Sequence, residues 1–201
     1  MSAKKLLLTP HYLPTTAYFT YLFDYAHIVL EAHAFYEKQS YANRCYIMTS
    51  QGVQKLVVPI RHSGGKQRFQ DVKVDYSTPW YRKHQQALAT AYGKAPFFHS
   101  LRDFLFPIFD KKLTFLIDIN YEMLTAVLDF LQLKREVTHT ESYSEHPVAP
   151  MVDRRHFLHP KKRNICAEQR VPRYCHLFGD DFVPHLSIID LLFCEGPFWN
   201  R

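Results

Sequence analysis

Two prolines set four residues apart, directly after an apolar run, constrain the opening of this chain more than any other feature. Residues 4–9 (Lys-Lys-Leu-Leu-Leu-Thr) predict a short buried strand. A residue ahead of proline avoids helical backbone, so Pro10 and Pro14 impose an extended turn, after which Thr15 or Thr16 caps a helix running through Phe23. Ile28 to Leu30 forms a second apolar strand. Strand, helix and strand in this order read as a β-α-β unit with parallel neighbouring strands, and ligands of such units sit at the strand ends.

Arg44 to Thr49, Gln54 to Ile60 and Phe69 to Val74 predict three further strands, joined by Ser50-Gln51-Gly52 and Ser63-Gly64-Gly65-Lys66 as hairpins. The Gly-Gly-Lys loop lacks the leading Gly and the trailing Ser or Thr of a P-loop and joins strands, so it reads as a turn. Helices follow over 79–91, 100–109 and about 114–133. In the last of these, Leu116, Ile117, Leu124, Val127, Leu128 and Leu131 form one stripe, with Asn120 on it in need of a hydrogen-bond partner. Ser187 caps a short apolar helix that ends at Gly196-Pro197. The expected fold class is α/β: an N-terminal β-α-β unit with further strands in a mixed sheet, then a mainly helical C-terminal half, in a single domain.

Residues 134–175 have few aliphatics, four prolines, and a basic run of Arg154, Arg155, Lys161, Lys162, Arg163, Arg170 and Arg173. So long an irregular stretch, basic from about 140 to 173, is either functional or disordered.

With 201 residues, 47% of them hydrophobic, the chain can bury one ordinary core. The apolar run at the N-terminus stops at Pro10, too early for a signal peptide. The most apolar stretch, Leu113 to Leu133, is broken by Asp118, Glu122 and Asp129 and does not make a membrane span. A soluble cytoplasmic protein without membrane insertion is therefore expected, with Cys45, Cys166, Cys175 and Cys194 reduced and packed. The net charge of +6 is modest, and the basic segment lacks the interleaved aromatics that stack bases, so a small molecule with an anionic group is expected as partner rather than nucleic acid. Oligomeric state is not encoded legibly. His156, His159, Cys166, Cys175 and His176 have ligand atoms but no regular zinc spacing, and Cys45 lies in an apolar strand as an inert thiol.

Candidate site residues concentrate at the two early turns. His11 and Tyr12 follow strand one, and Glu31 and His33 follow strand two. Two apart in extended chain, Glu31 and His33 point the same way, suiting a carboxylate that orients an imidazole as general base; the alternative is two exposed polar residues. Next come Lys38, Asn43 and Arg44. Arg44 either grips a carboxylate or phosphate bidentately or pairs internally with Asp190, the lone acid of an apolar helix. His84 and Tyr92, eight apart, lie about 80° apart on an ideal helix and fit a shared substrate pocket.

Five stretches in order resemble the WbqC-like protein family, in its Bacteroidetes-type form. They are Tyr12-Leu13-Pro14 with Tyr18-Phe19; Glu31 and His33 with Lys38-Gln39, Tyr41 and Asn43-Arg44-Cys45; Leu56-Val57-Val58-Pro59; Trp80 and His84 with Ala91-Tyr92 and Ala95-Pro96-Phe97-Phe98; and Leu186 to Phe193 before Gly196-Pro197. The resemblance implies a bacterial enzyme linked to cell-surface polysaccharide (O-antigen) biosynthesis that transfers glycine or another acyl group to a sugar. The sequence departs from the family at His11, near a usual Gln-Pro-Asn-type turn, and at His185 and Cys194, where asparagines are usual. The expected enzyme uses His33, Glu31 and His11 as catalytic residues, and Tyr12, Lys38, Asn43, Arg44, His84 and Tyr92 to bind substrate. Asp190 is structural or part of the site. No cofactor or metal is expected, beyond a nucleotide-activated sugar or acyl donor. The alternatives are a non-catalytic binding or assembly protein and, by fold-level analogy, a nucleotidyltransferase-like enzyme.

Overall fold

The computed structural model describes residues 4–61, 64–161, 171–179 and 183–198. Ser63, Lys162, Arg163, Cys166 and Arg170 lie outside the described residues. The opening unit is β1 (Lys5–Leu8), α1 (Thr16–Leu22) and β2 (His27–Leu30). Thr15 caps α1 by accepting the Tyr18 amide. The strands pair in parallel, Leu6 opposite Ile28 and Leu8 opposite Leu30. Leu6, Leu8, Ile28 and Leu30 enter the core, whereas the alternate residues Leu7 and Val29 face the other side of the sheet, as period-two geometry requires.

Two strands from the segment expected to be irregular complete this sheet. β5 (Glu136–His139) pairs in parallel with β2, and β6 (Met151–Asp153) pairs in parallel with β1, giving the order β5-β2-β1-β6. Both run along edges and carry few aliphatics, so neither has the apolar signature that exposes a central strand. β3 (Arg44–Thr49) and β4 (Gly52–Val57) form a separate antiparallel hairpin rather than joining the parallel sheet. The strand expected over 69–74 is instead a 3-10 turn at Phe69–Asp71, with single bridges from Lys73 to Phe115 and Val74 to Ile60. There Phe69 and Val72 are drawn into the core and the backbone splits its pairing between two partners.

The helical half comprises α2 (Trp80–Tyr92), α3 (Phe98–Asp110), α4 (Leu116–Phe130) and α5 (Ile188–Glu195). The α4 stripe is buried, and Asn120 on it donates to the Ala42 carbonyl at 2.8 Å. α5 anchors the turn after β1: the Ser187 hydroxyl donates to the Leu13 carbonyl at 2.8 Å, and the Ile188 amide donates to the Pro14 carbonyl. These bonds hold Leu13, whose φ is +42°, in backbone that a leucine rarely adopts. No helix among the described residues is long and apolar enough to cross a membrane.

Candidate active site

All four parallel strands end at one edge. Glu31 donates its amide to Leu8, Thr140 to Leu30, and Arg154 to Leu7, so Thr9, Glu31, Thr140 and Arg155 emerge together. The sheet order puts β1 between β2 and β6. The chain moves from β1 through β2 to β5 on one side and returns to β6 on the other, so the topological switch point lies between β1 and β6.

At that edge stands a buried ion network. Arg155, 5% exposed, donates from Nη1 to Glu31 at 3.0 Å, from Nη2 to Asp153 at 2.7 Å and from Nη2 to the Glu145 carbonyl at 3.2 Å. The other Glu31 oxygen accepts the backbone amides of His33 and Ala34 and the Thr140 hydroxyl, at 2.9, 3.1 and 3.0 Å. Burial opposes ionisation of Asp153, but the hydrogen bonds and charge of Arg155 outweigh it and hold the carboxyl below its ordinary range. Burial likewise works against the Arg155 cation, and Asp153 and Glu31 overcome it.

Over the switch point lies a cavity of about 330 Å³. Thr9 and His11 line it from β1, Glu31 from β2, Arg155, His156 and His159 from beyond β6, and Phe35 from its rim. The His11 ring sits between those of Tyr18 and Tyr41, with centroids 4.9 and 5.3 Å away, and its Nδ1 has no hydrogen-bond partner among the described residues. Burial, helped by the charge of His159, lowers His11 to about 3, so it is a neutral imidazole near neutral pH. His159 accepts the Lys161 amide at Nδ1 and has Nε2 3.4 Å from Glu37. His156 is exposed at the same rim.

The expected pairing of Glu31 with the His33 ring is not formed. In the tight turn after β2 the carboxylate bonds the His33 backbone amide and is committed to Arg155 and Thr140, and His33 does not line the cavity. The carboxylate beside an imidazole in this cavity is Glu37, next to His159.

Tyr12, His84 and Tyr92 are interior ties rather than pocket walls. The Tyr12 hydroxyl and His84 Nδ1 are 2.8 Å apart and buried, and burial lowers His84 to about 4, against the raising effect of a hydrogen bond with Val57. The neutral ring thus accepts from Tyr12 at Nδ1. Tyr92 donates to Asp190 and accepts the Met48 amide at 3.0 Å. The other Asp190 oxygen receives the Tyr174 hydroxyl at 2.6 Å and His176 Nδ1 at 2.7 Å. Asp190 is therefore satisfied without Arg44. Asn43 donates to the Val58 carbonyl, tying the start of β3 to the residue after β4. Lys38 is exposed and faces away from the cavity, into a neighbouring groove. Cys45 is buried, and burial pushes its thiol well above the usual range.

The sequence reading missed Thr9, Thr140, Asp153, Arg155, His156 and His159 as site residues. The available signal was Asp153-Arg154-Arg155 directly after a Met-Val pair, a charged exit from a short strand. No three His, Cys, Asp or Glu side chains among the described residues stand together as a metal site.

The family model of the WbqC-like proteins matches residues 9–149, from the end of β1 to the approach to β6. This chain belongs to the WbqC-like protein family. A relative from Mycobacterium tuberculosis (strain ATCC 25618 / H37Rv), the uncharacterized protein Rv1507c, is 28% identical over 142 residues, 70% of this chain and 61% of its own length. The chain thus spans about three fifths of the curated relative it matches. No solved structure matches. The family match contains the Thr9, His11, Glu31 and Phe35 side of the cavity, while Arg155, His156 and His159 fall beyond it. His185, beyond the matched residues, has φ +66°, a left-handed backbone in which asparagine is favoured.

Proposed function

We propose that this WbqC-like protein is a transferase of cell-surface polysaccharide biosynthesis, which binds a nucleotide-activated or otherwise anionic donor in the cavity above β1 and β6 and passes an acyl or aminoacyl (glycyl) group to a sugar. The observation that carries this reading is the cavity at the switch point of a parallel sheet, where open α/β sheets bind their ligands, with convergent polar side chains around it.

The roles follow from the environments. Glu31 and Arg155 neutralise one another and fix the cavity wall; they are positioning residues. His11, neutral and buried, is a hydrogen-bond partner for the donor, since a group that protonates near 3 is a poor base at neutral pH. His156, exposed at the rim and without a hydrogen bond to a described residue, takes the proton. The acceptor's hydroxyl or amine attacks the activated carbonyl, a new C–O or C–N bond forms, the leaving group departs with the electron pair of the broken bond, and the acceptor's proton passes to His156.

The test is a thermal-shift screen against nucleotide sugars, acyl donors and nucleotides, followed by turnover assays. A ligand at 100 times its Kd stabilises by about 2.7 kcal/mol. A donor that stabilises the wild type is expected to lose its effect in Ala34→Leu, which fills the cavity. His156→Ala is expected to lower turnover about 100-fold or more with Tm unchanged. Undiminished turnover in His156→Ala removes that residue from the mechanism, and the absence of any stabilising donor removes the transferase reading.

A further inference from the structure

On the far side of the wall that bounds this cavity is a second, basic groove. The wall is the segment 34–38, held against 67–70: Phe35 bridges Arg68, the Tyr36 amide donates to Gln67 at 2.8 Å, and the Phe69 amide donates to Ala34 at 2.9 Å. Ala34, Phe35 and Glu37 line the cavity, while Tyr36 and Lys38 line the groove, about 430 Å³, with Arg61, Gly64 and Lys66.

The groove collects three cations along its lining. Lys38, Arg61 and Lys66 line it, and among the described residues no carboxylate does. Arg44 stands close enough to Tyr36 that its charge pulls the phenol down against the larger, raising effect of burial. Arg44 Nε is buried and has no acceptor among the described residues, which is unusual for a guanidinium donor. Arg61 acts on the Asp75 carboxylate, which lies outside the lining. Gly64 has φ +75°, and a Cβ built there meets nothing within 4 Å, so a close-fitting oxyanion can approach the loop at Gly64 without a steric bar.

We infer that the groove between Lys38 and the Gly64-Gly65-Lys66 loop, with Arg61 on its wall and Arg44 behind Tyr36, is a binding site for a phosphate-bearing ligand. Its three lining cations supply the charge-assisted hydrogen bonds, and Gly64 leaves room for the approach. The site does not depend on the transferase reading. Lys66 Nζ lies 5.8 Å from the centre of the Phe35 ring at the cavity rim, so the phosphate belongs either to the donor, reaching over the wall, or to a separate phosphorylated molecule.

Titration calorimetry of the full chain with inorganic pyrophosphate at low salt tests the inference. The expected result is saturable binding weakened about 10-fold or more in Lys66→Ala and in Arg61→Ala, and unchanged in Lys83→Ala, a cation outside the groove. Arg61, Lys66 and Lys83 are all exposed, so the variants fold. A parallel titration with uridine diphosphate separates the sources: loss in both the groove variants and Ala34→Leu assigns the phosphate to the cavity's ligand, and loss in the groove variants alone assigns it to a separate one. Absence of saturable pyrophosphate binding, or equal weakening in Lys83→Ala, overturns the site and leaves the cavity reading standing.

Discussion

Arg155 and Glu31 meet 3.0 Å apart at the carboxyl ends of β6 and β2, with side chains 3% and 1% exposed. Their pairing joins the first β-α-β unit to a strand that returns from far along the chain. It also forms one wall of the cavity.

Removing one partner strands a charge. Arg155→Met leaves the Glu31 and Asp153 carboxylates without their cation and is expected to destabilise the protein by about 3–5 kcal/mol. Glu31→Gln added to it is expected to recover part of that loss. Urea unfolding of the single and double variants checks both statements, and additive losses would mean that the two residues are not coupled.

Acid stability carries a signature of the buried imidazoles. His11 is lowered to about 3 and His84 to about 4 from 6.5, so below 6.5 the unfolded chain binds protons that the folded chain refuses. Their contribution to stability is complete above 6.5 and is lost as pH falls through the window from 6.5 toward 4 and 3. The slope approaches about 1.4 kcal/mol per pH unit for each such group. His11→Phe, which fits between the Tyr18 and Tyr41 rings, is expected to reduce the slope of unfolding free energy between pH 6 and 4 by one proton. An unchanged slope would show that His11 is not held neutral.

Much of this arrangement was legible in the sequence. Pro10, Pro14 and the Thr15 cap specify the turn and helix after β1, and the apolar stripe of α4 and the Ser187 cap locate two more helices. The edge strands β5 and β6 were not legible, because Glu136-Val-Thr-His and Met-Val-Asp153 gain their partners from β2 and β1 rather than from their own pattern. The site suffered for the same reason. Glu31 was recognisable as a polar residue at a strand end, but its cation comes from 124 positions away, a relation that local spacing does not record. Tyr92 and His84 look equally functional as letters, and their burial assigns them to the interior.

Tyr92 joins two such ties. Tyr92→Phe leaves the Met48 amide and one Asp190 oxygen without their partner and is expected to destabilise by about 1–3 kcal/mol. Thermal or urea denaturation measures it, and a neutral effect would mean that water replaces the hydroxyl.

Gln132 offers a gain. It follows α4 with φ +56°, and the Gln132 amide donates to Asp129 while the Leu133 amide donates to Leu128, the paired bonds of a helix stop that glycine favours. The side chain is exposed. Gln132→Gly is expected to raise stability by about 0.5–1 kcal/mol, and a loss of stability would contradict the reading of this turn.

The central claim is that ligand binds over the carboxyl ends of β1 and β6. Amide chemical-shift mapping by NMR, with the donor that best stabilises the protein, tests it most directly. The account predicts that the largest shifts fall on Thr9, His11, Glu31, Ala34 and Arg155; shifts confined to another face, such as that of Thr49, Gln54 and Lys83, would contradict it.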